Sequence, residues 1–350
     1  MRFFKLLVIA AIGLVGCDAA EQGDLAADVT GNADTDIEEP GAGPAGPDAC
    51  PATQLAAESE IAAIRSLTSD ATNLYYVVWP CDLDDCPPDS DEVRAVPKAG
   101  GASTLLALEP GTISDDLAVA GGHVYWIRSN DRAIMRVPTD GCDEPEVVYQ
   151  SPAPTAYLAA NADGVYWRSL DENERWTRLE RLPLAGGDVE TVATLPPEAN
   201  FSLLDDERLY FMTGLSSAEA FLHALDLDTG ETQTLTANPD SFLGGEFTQD
   251  AVALQWSGSG GLLRRLAKSG GEPVTIVDEA GYDVGSNGEL ALLYSLEVED
   301  LRSVPVTGGA PTVVAPPTCN LFGTWLERVV DPDQLYWSSG HDIFAVPLAP

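Results

Sequence analysis

One pattern returns seven times along the chain and sets the terms for any fold it can adopt. Apolar runs ending in an aromatic residue stand at NLYYVVW (to Trp79), HVYW (Trp126), GVYW (Trp167), RLYF (Phe211), VALQW (Trp256), LALLY (Tyr294) and QLYW (Trp337). Their spacings are 47, 41, 44, 45, 38 and 43 residues. A second column follows each run: RAVPKAGG, MRVPTDGC, ERLPLAGG, HALDLDTG, RRLAKSGG, RSVPVTGG and FAVPLAP. A further apolar run, such as STLLA or PTVVA, comes after the glycines. A unit of about 40 residues cannot bury its apolar surface alone, so it must stack on copies of itself.

The Gly and Pro columns would break every helix of a helical repeat, and no apolar period of 3.6 is present. Short β-rich runs parted by Gly-Gly and Asp-Gly pairs, which supply the positive φ of tight turns, predict an all-β fold. The expected architecture is a seven-bladed β-propeller of four-stranded antiparallel blades. The VYW runs are continuously apolar, as suits strands covered on both faces by neighbouring blades. The seventh unit reaches Pro350 where the others enter a fourth strand. The segment CPATQLAAE, from Cys50, resembles the GAPTVVAP that closes the sixth unit. It is expected to supply the outer strand of the last blade, so that residues 50–350 form one closed domain. A six-bladed ring with a degenerate fifth or sixth unit is the alternative.

The VYW…IMRVPTDG unit resembles the YWTD-type propeller repeat. At the Thr-Asp positions of that repeat stand Ile127 and Arg128, Arg168 and Ser169, Met212 and Thr213, and Ser338 and Ser339. The resemblance implies an extracytoplasmic, non-catalytic propeller that binds other proteins through one face.

Ahead of the repeats, MRFFKLLVIAAIGLVGC combines a basic start with a short apolar run, the pattern of a secretory signal rather than of a membrane span. Leu14, Val15, Gly16 and Cys17 resemble the lipobox of bacterial lipoproteins. That resemblance implies a signal peptide over 1–16 and several acyl chains, of the palmitate kind, on Cys17, enough for stable anchoring to a membrane. Residues 17–49 are rich in acidic, Ala and Gly residues, carry no basic side chain, and read as a disordered tether held extended by its own charge. The chain carries 56 acidic against 18 basic residues. A domain so acidic repels polyanions, which excludes nucleic acid as the expected partner. Nothing in the sequence signals oligomerisation, so a monomer in the bacterial cell envelope, facing periplasm or exterior, is expected.

Five further cysteines, Cys50, Cys81, Cys86, Cys142 and Cys319, lie in a compartment that permits disulfides. Cys81 and Cys86 share one loop and are the favoured pair, with a link from either to Cys319 as the rival. The same loop, CDLDDCPPDSDE, offers Asp82, Asp84 and Asp85 as oxygen ligands for Ca²⁺, although it lacks the EF-hand pattern. A solvated acidic loop without cofactor is the preferred reading. The Asp and Asn residues before the VYW runs (Asp70, Asp163, Asp205, Asp206, Asp250, Asn287, Asp331) occupy turns, and turn chemistry accounts for them. His123, His223 and His341 share no metal-site spacing.

Two stretches break the repeat. SLDENERWTRLER sets Trp176 among Arg175, Arg178 and Arg181, and PPTCNLFGTWLE carries Phe322 and Trp325. Aromatic and arginine side chains on loops are what binding hot spots favour. The expected function is therefore a lipid-anchored, non-catalytic binding scaffold for a protein or surface glycan. The rival is a Ca²⁺-dependent propeller hydrolase or lyase of the lactonase type, with Asp116, Asn200 and Asp283 as ligands on the innermost strands.

Overall fold

The computed structural model describes residues 50–348, apart from 59–61, 80–90, 111, 174, 215–219, 238–246, 258–260, 280, 296 and 320–326. Strands β1 to β28, in chain order, form seven four-stranded antiparallel sheets. Blade one runs from β2 (Ala63–Ser69) to β5 (Thr104–Glu109), blade two from β6 (Ile113–Ala120) to β9 (Glu146–Gln150) and blade three from β10 (Thr155–Ala160) to β13 (Glu190–Thr194). Blade four runs from β14 (Asn200–Leu204) to β17 (Thr232–Ala237), blade five from β18 (Phe247–Gln249) to β21 (Val274–Val277) and blade six from β22 (Gly281–Ser286) to β25 (Thr312–Ala315). The fifth unit is thus a complete blade, and the ring has seven.

Blade seven is built from both ends of the domain. Its strands β26 (Arg328–Val330), β27 (Gln334–Ser339) and β28 (Asp342–Pro347) are completed by β1 (Thr53–Ala57), in the order β1-β28-β27-β26. Thr53 lies opposite Ala345 and Ala57 opposite Asp342, and the amide of Glu58 donates to the carbonyl of His341 at 2.9 Å. The expected closure by the segment from Cys50 is the one observed.

The core is divided among the seven blade-to-blade interfaces. Between blades two and three lie Tyr125, Ile127, Ile134, Val165 and Trp167; between three and four lie Tyr166, Leu179, Leu195 and Phe211. Consecutive residues of GVYW therefore face opposite neighbours, which is why the run cannot alternate with polar residues. Trp126, Trp167, Trp256 and Trp337 are all fully buried. Each contributes on the order of 2–3 kcal/mol of burial free energy.

Cys50 is disulfide-bonded to Cys319, in the turn Pro317–Cys319 between blades six and seven, across a sequence separation of 269. This corrects the proposed link from Cys319 to Cys81 or Cys86. That link rested on the two loops sharing one side of the ring, whereas ring closure brings the residue that precedes β1 against the entry to the last blade. The model of loop-closure entropy assigns such a long loop roughly 5–6 kcal/mol. Cys142 is also disulfide-bonded. Cys81 and Cys86 lie outside the described residues.

The first strand of each blade is innermost, and these strands meet their counterparts in neighbouring blades around the axis. Several carry a bulge. The register slips between Arg65 and Leu67, Ala156 and Ala159, and Asp283 and Gly285. Positive φ falls at or beside these slips, at Ser66 (49°), Tyr157 (60°) and Gly285 (144°). A bulge exposes a backbone amide, and a neighbouring blade supplies its acceptor: Leu117 donates to Ser66 Oγ at 3.0 Å, and Leu158 to Asp116 Oδ2 at 3.3 Å.

Candidate functional site

Antiparallel order gives the ring two unlike faces. On the turn face, first strands pass to second strands through turns of two or three residues. There Asp70, Asn161, Asp205, Asp250 and Asn287 each accept two backbone amides through Oδ1, at 2.7–3.1 Å. In blade three Asn161 takes the role expected of Asp163, because it stands at the start of the turn. Lysines then tie blades together: Lys98 reaches Asp331 at 2.7 Å and Lys268 reaches Asp205 at 2.8 Å. The recurring Asp and Asn column is architecture.

The other face, the loop face, carries the connections whose lengths vary, such as those from Trp79 to Asp91 and from Ala315 to Arg328. Asp82, Asp84, Asp85, Phe322 and Trp325 belong to these two connections and lie outside the described residues. The loop from Leu170 to Trp176 is described in part. Asp171 accepts the amides of Asn173 (2.8 Å) and Arg175 (3.0 Å), the hydroxyl of Thr177 (3.2 Å) and the guanidinium of Arg175 (3.2 Å). Arg175 is exposed and Trp176 half-buried. Arg178, on β12 (Trp176–Pro183), donates to the carbonyl of Leu170 at 2.8 Å. Arg181 instead pairs with Glu190 at 2.5 Å.

Of the three proposed channel ligands, Asp116, Asn200 and Asp283 stand on the innermost strands of blades two, four and six. Among the described residues no group of three metal-ligating side chains gathers. Asp283 is buried, and both its oxygens are engaged: Oδ1 accepts Gln255 Nε2 (2.6 Å) and the amide of Gly285 (3.1 Å), and Oδ2 accepts the Thr248 hydroxyl (2.7 Å). Its own amide donates to Ser257 Oγ at 2.5 Å. Burial pushes its pKa above the ordinary value, against the opposing pull of the Gln255 bond and the Arg328 charge. Thr248, Asp283 and Arg328 come from the inner strands of three successive blades, so this network locks the wall of the channel.

The histidines are local. His123 Nδ1 lies 3.0 Å from the carbonyl of Gly121, His341 lies 3.5 Å from Asp342, and His223 stacks on Phe211 with both ring nitrogens on threonine hydroxyls. Burial lowers the pKa of His223.

Two residues that sequence reasoning passed over stand out. Arg168, on β11 (Gly164–Leu170), is 2% exposed; its guanidinium donates to the carbonyls of Ala199 (2.6 Å) and Trp176, and lies 5.5 Å from the ring of Tyr157. Tyr157 is 39% exposed on the innermost strand of blade three. The signal was available: after the terminal aromatic of each run come Pro80, Ile127, Arg168, Met212, Ser257, Ser295 and Ser338. Only blade three puts a charge there.

No protein-family model matches the chain, and no curated protein matches its sequence. Similarity appears among solved structures. Virginiamycin B lyase from Staphylococcus aureus is 12% identical, with a TM-score of 0.58 over 86% of this chain and 100% of that one. YCF48 bound to D1 peptide is 12% identical, with a TM-score of 0.58 over 85% and 96%. BamB from Moraxella catarrhalis is 12% identical, with a TM-score of 0.50 over 85% and 100%. At such identities the likeness establishes the propeller fold and nothing finer.

Proposed function

We propose that the protein is a lipid-anchored, non-catalytic binding scaffold of the bacterial cell envelope, whose loop face takes a protein or a surface glycan. Cys17 carries the anchor, and residues 17–49 hold the propeller away from the membrane. The observation that carries the non-catalytic reading is the state of Asp283. A calcium-dependent hydrolase or lyase needs convergent channel carboxylates with free oxygens. Here the central carboxylate is buried and already holds Thr248, Gln255 and Gly285. The regular turn face and irregular loop face support recognition through the latter. A propeller of comparable likeness, YCF48, is seen bound to D1 peptide.

Two measurements test the proposal. Fractionation should find the full chain with membranes and the Cys17→Ser variant in the soluble fraction. Unfolding midpoints measured with calcium and with chelator should coincide, since a ligand bound only by the folded state must raise the midpoint. A clear rise with calcium would favour the hydrolase reading.

A further inference from the structure

Arg168 and Arg265 are the two buried arginines among the described residues, at 2% and 8% exposure. Arg265 has a counter-ion, Asp250, at 2.6 Å. Arg168 has none among the described residues: its partners are two backbone carbonyls and the face of Tyr157, and its Nε has no hydrogen-bond acceptor. Burial lowers its pKa, the mark of a cation whose surroundings do not neutralise it. An unpaired buried charge costs several kcal/mol, so a folded chain that keeps one invites an explanation.

Tyr157 supplies a second, independent observation. Its φ of 60° is the left-handed region, which costs a bulky residue roughly 1–2 kcal/mol. At the comparable bulges of blades one and six the positive φ falls on a small residue, Ser66 or Gly285. In blade three the strained residue is instead Tyr157, whose ring is 39% exposed and lies over the Arg168 guanidinium. Bulges re-aim side chains, and strain of this kind collects where a ligand is held.

We propose that Arg168 and Tyr157 form a binding site for a carboxylate-bearing saccharide, entering the channel from the loop face. The inference rests on the scaffold reading above and names the ligand class. A guanidinium with no counter-ion among the described residues matches one carboxylate in charge, and an Nε–H lies on the edge of a guanidinium that meets a carboxylate oxygen. A dianion would leave excess charge in a domain that is already strongly acidic. The exposed ring of Tyr157 offers its negative face to the C–H groups of a sugar. The ring must turn aside as the carboxylate enters, and the strained backbone lowers the cost of that movement.

The test is calorimetric titration of the protein with glucuronate, and with glucose and inorganic phosphate as controls. Glucuronate should bind, with glucose and phosphate inert. Arg168→Met, which replaces the charge by an apolar chain of similar length, should weaken glucuronate at least about tenfold while keeping or raising the unfolding midpoint. Tyr157→Gly, which relieves the strained φ and leaves Arg168 in place, should also stabilise the fold and weaken binding. A purely structural Arg168 predicts the reverse, a lowered midpoint with no binding to lose. Equal binding of glucose, phosphate binding in place of glucuronate, or no glucuronate binding would each overturn the assignment. If glucuronate is inert while a loop-face variant such as Trp176→Ala loses a protein partner that the native chain retains, the scaffold reading stands and this inference falls.

Discussion

Asp205 and Asp171 accept nearly the same set of donors on opposite faces of the ring. Each takes two backbone amides, a hydroxyl and a cation. Asp205, on the turn face, receives its cation from Lys268 of the next blade, so it fastens two blades as well as its own turn. Asp171, on the loop face, receives its cation from Arg175 four residues on, and holds only its own loop. Hydrogen-bond count is therefore a poor guide to what a residue does here; the reach of the bonds decides. Asp205 thus belongs to the ties between blades on the turn face, as Asp331 does through Lys98, whereas Asp171 ties nothing beyond its own loop.

The largest test of that contrast is the seam, which belongs to neither face. Deleting residues 50–58 removes both β1 and Cys50, and should abolish cooperative unfolding or lower stability by more than about 5 kcal/mol in denaturant melts. Reduction of the disulfides alone, with β1 intact, should cost less, on the order of 2–5 kcal/mol. If the truncated domain melts like the native one, closure by the N-terminal strand has no energetic weight.

The two aspartates come next. Asp205→Ala should cost about 2–4 kcal/mol, and Asp171→Ala less than about 1 kcal/mol, read from the same melts. Equal costs would remove the distinction between the two aspartates. Burial tends to raise the pKa of Asp205, but the Lys268 bond and the turn amides outweigh it and hold the pKa below the ordinary 3.8. The stability this carboxylate contributes is thus complete above 3.8 and lost as pH falls through its lower folded value. The difference between wild type and Asp205→Ala should shrink in strong acid.

Asp283 predicts the opposite slope. Its folded pKa lies above the ordinary value, so ionisation opposes folding, and the wild type should lose stability relative to Asp283→Asn as pH rises through that folded pKa. A pH-independent difference would mean that the carboxylate is not held as described. The smallest effect is expected for Trp176→Ala, half-buried on the loop face, at about 1 kcal/mol or less of stability. Its consequence should appear in partner binding instead.

Much of this was legible in the residues. The repeat predicted the blades, the double-sided burial of the VYW runs predicted where the core sits, and the resemblance between CPATQLAAE and GAPTVVAP predicted the seam. The turn reading of the Asp and Asn column holds for Asp70, Asp205, Asp250 and Asn287, whose side chains accept the turn amides, while Asn161 acts in place of Asp163 and Asp331 holds Lys98. Asp283 was picked out as an inward carboxylate, but not as one already held by Thr248 and Gln255, since those partners sit in another blade. Arg168 was visible as the one charge in its column, yet its lack of a counter-ion among the described residues was not.

The sequence by itself determined the propeller architecture, the strand order within a blade and the closing strand, because each follows from the periodicity and turn residues of short segments. Only the tertiary structure decided between six blades and seven, that Cys50 meets Cys319, that Asp283 is locked by its neighbours, and that Arg168 is buried without a carboxylate among the described residues. Those facts concern residues from different blades or opposite ends of the domain. Their distances are set when the ring closes, and a repeat that is blind to its own position in the ring cannot specify them.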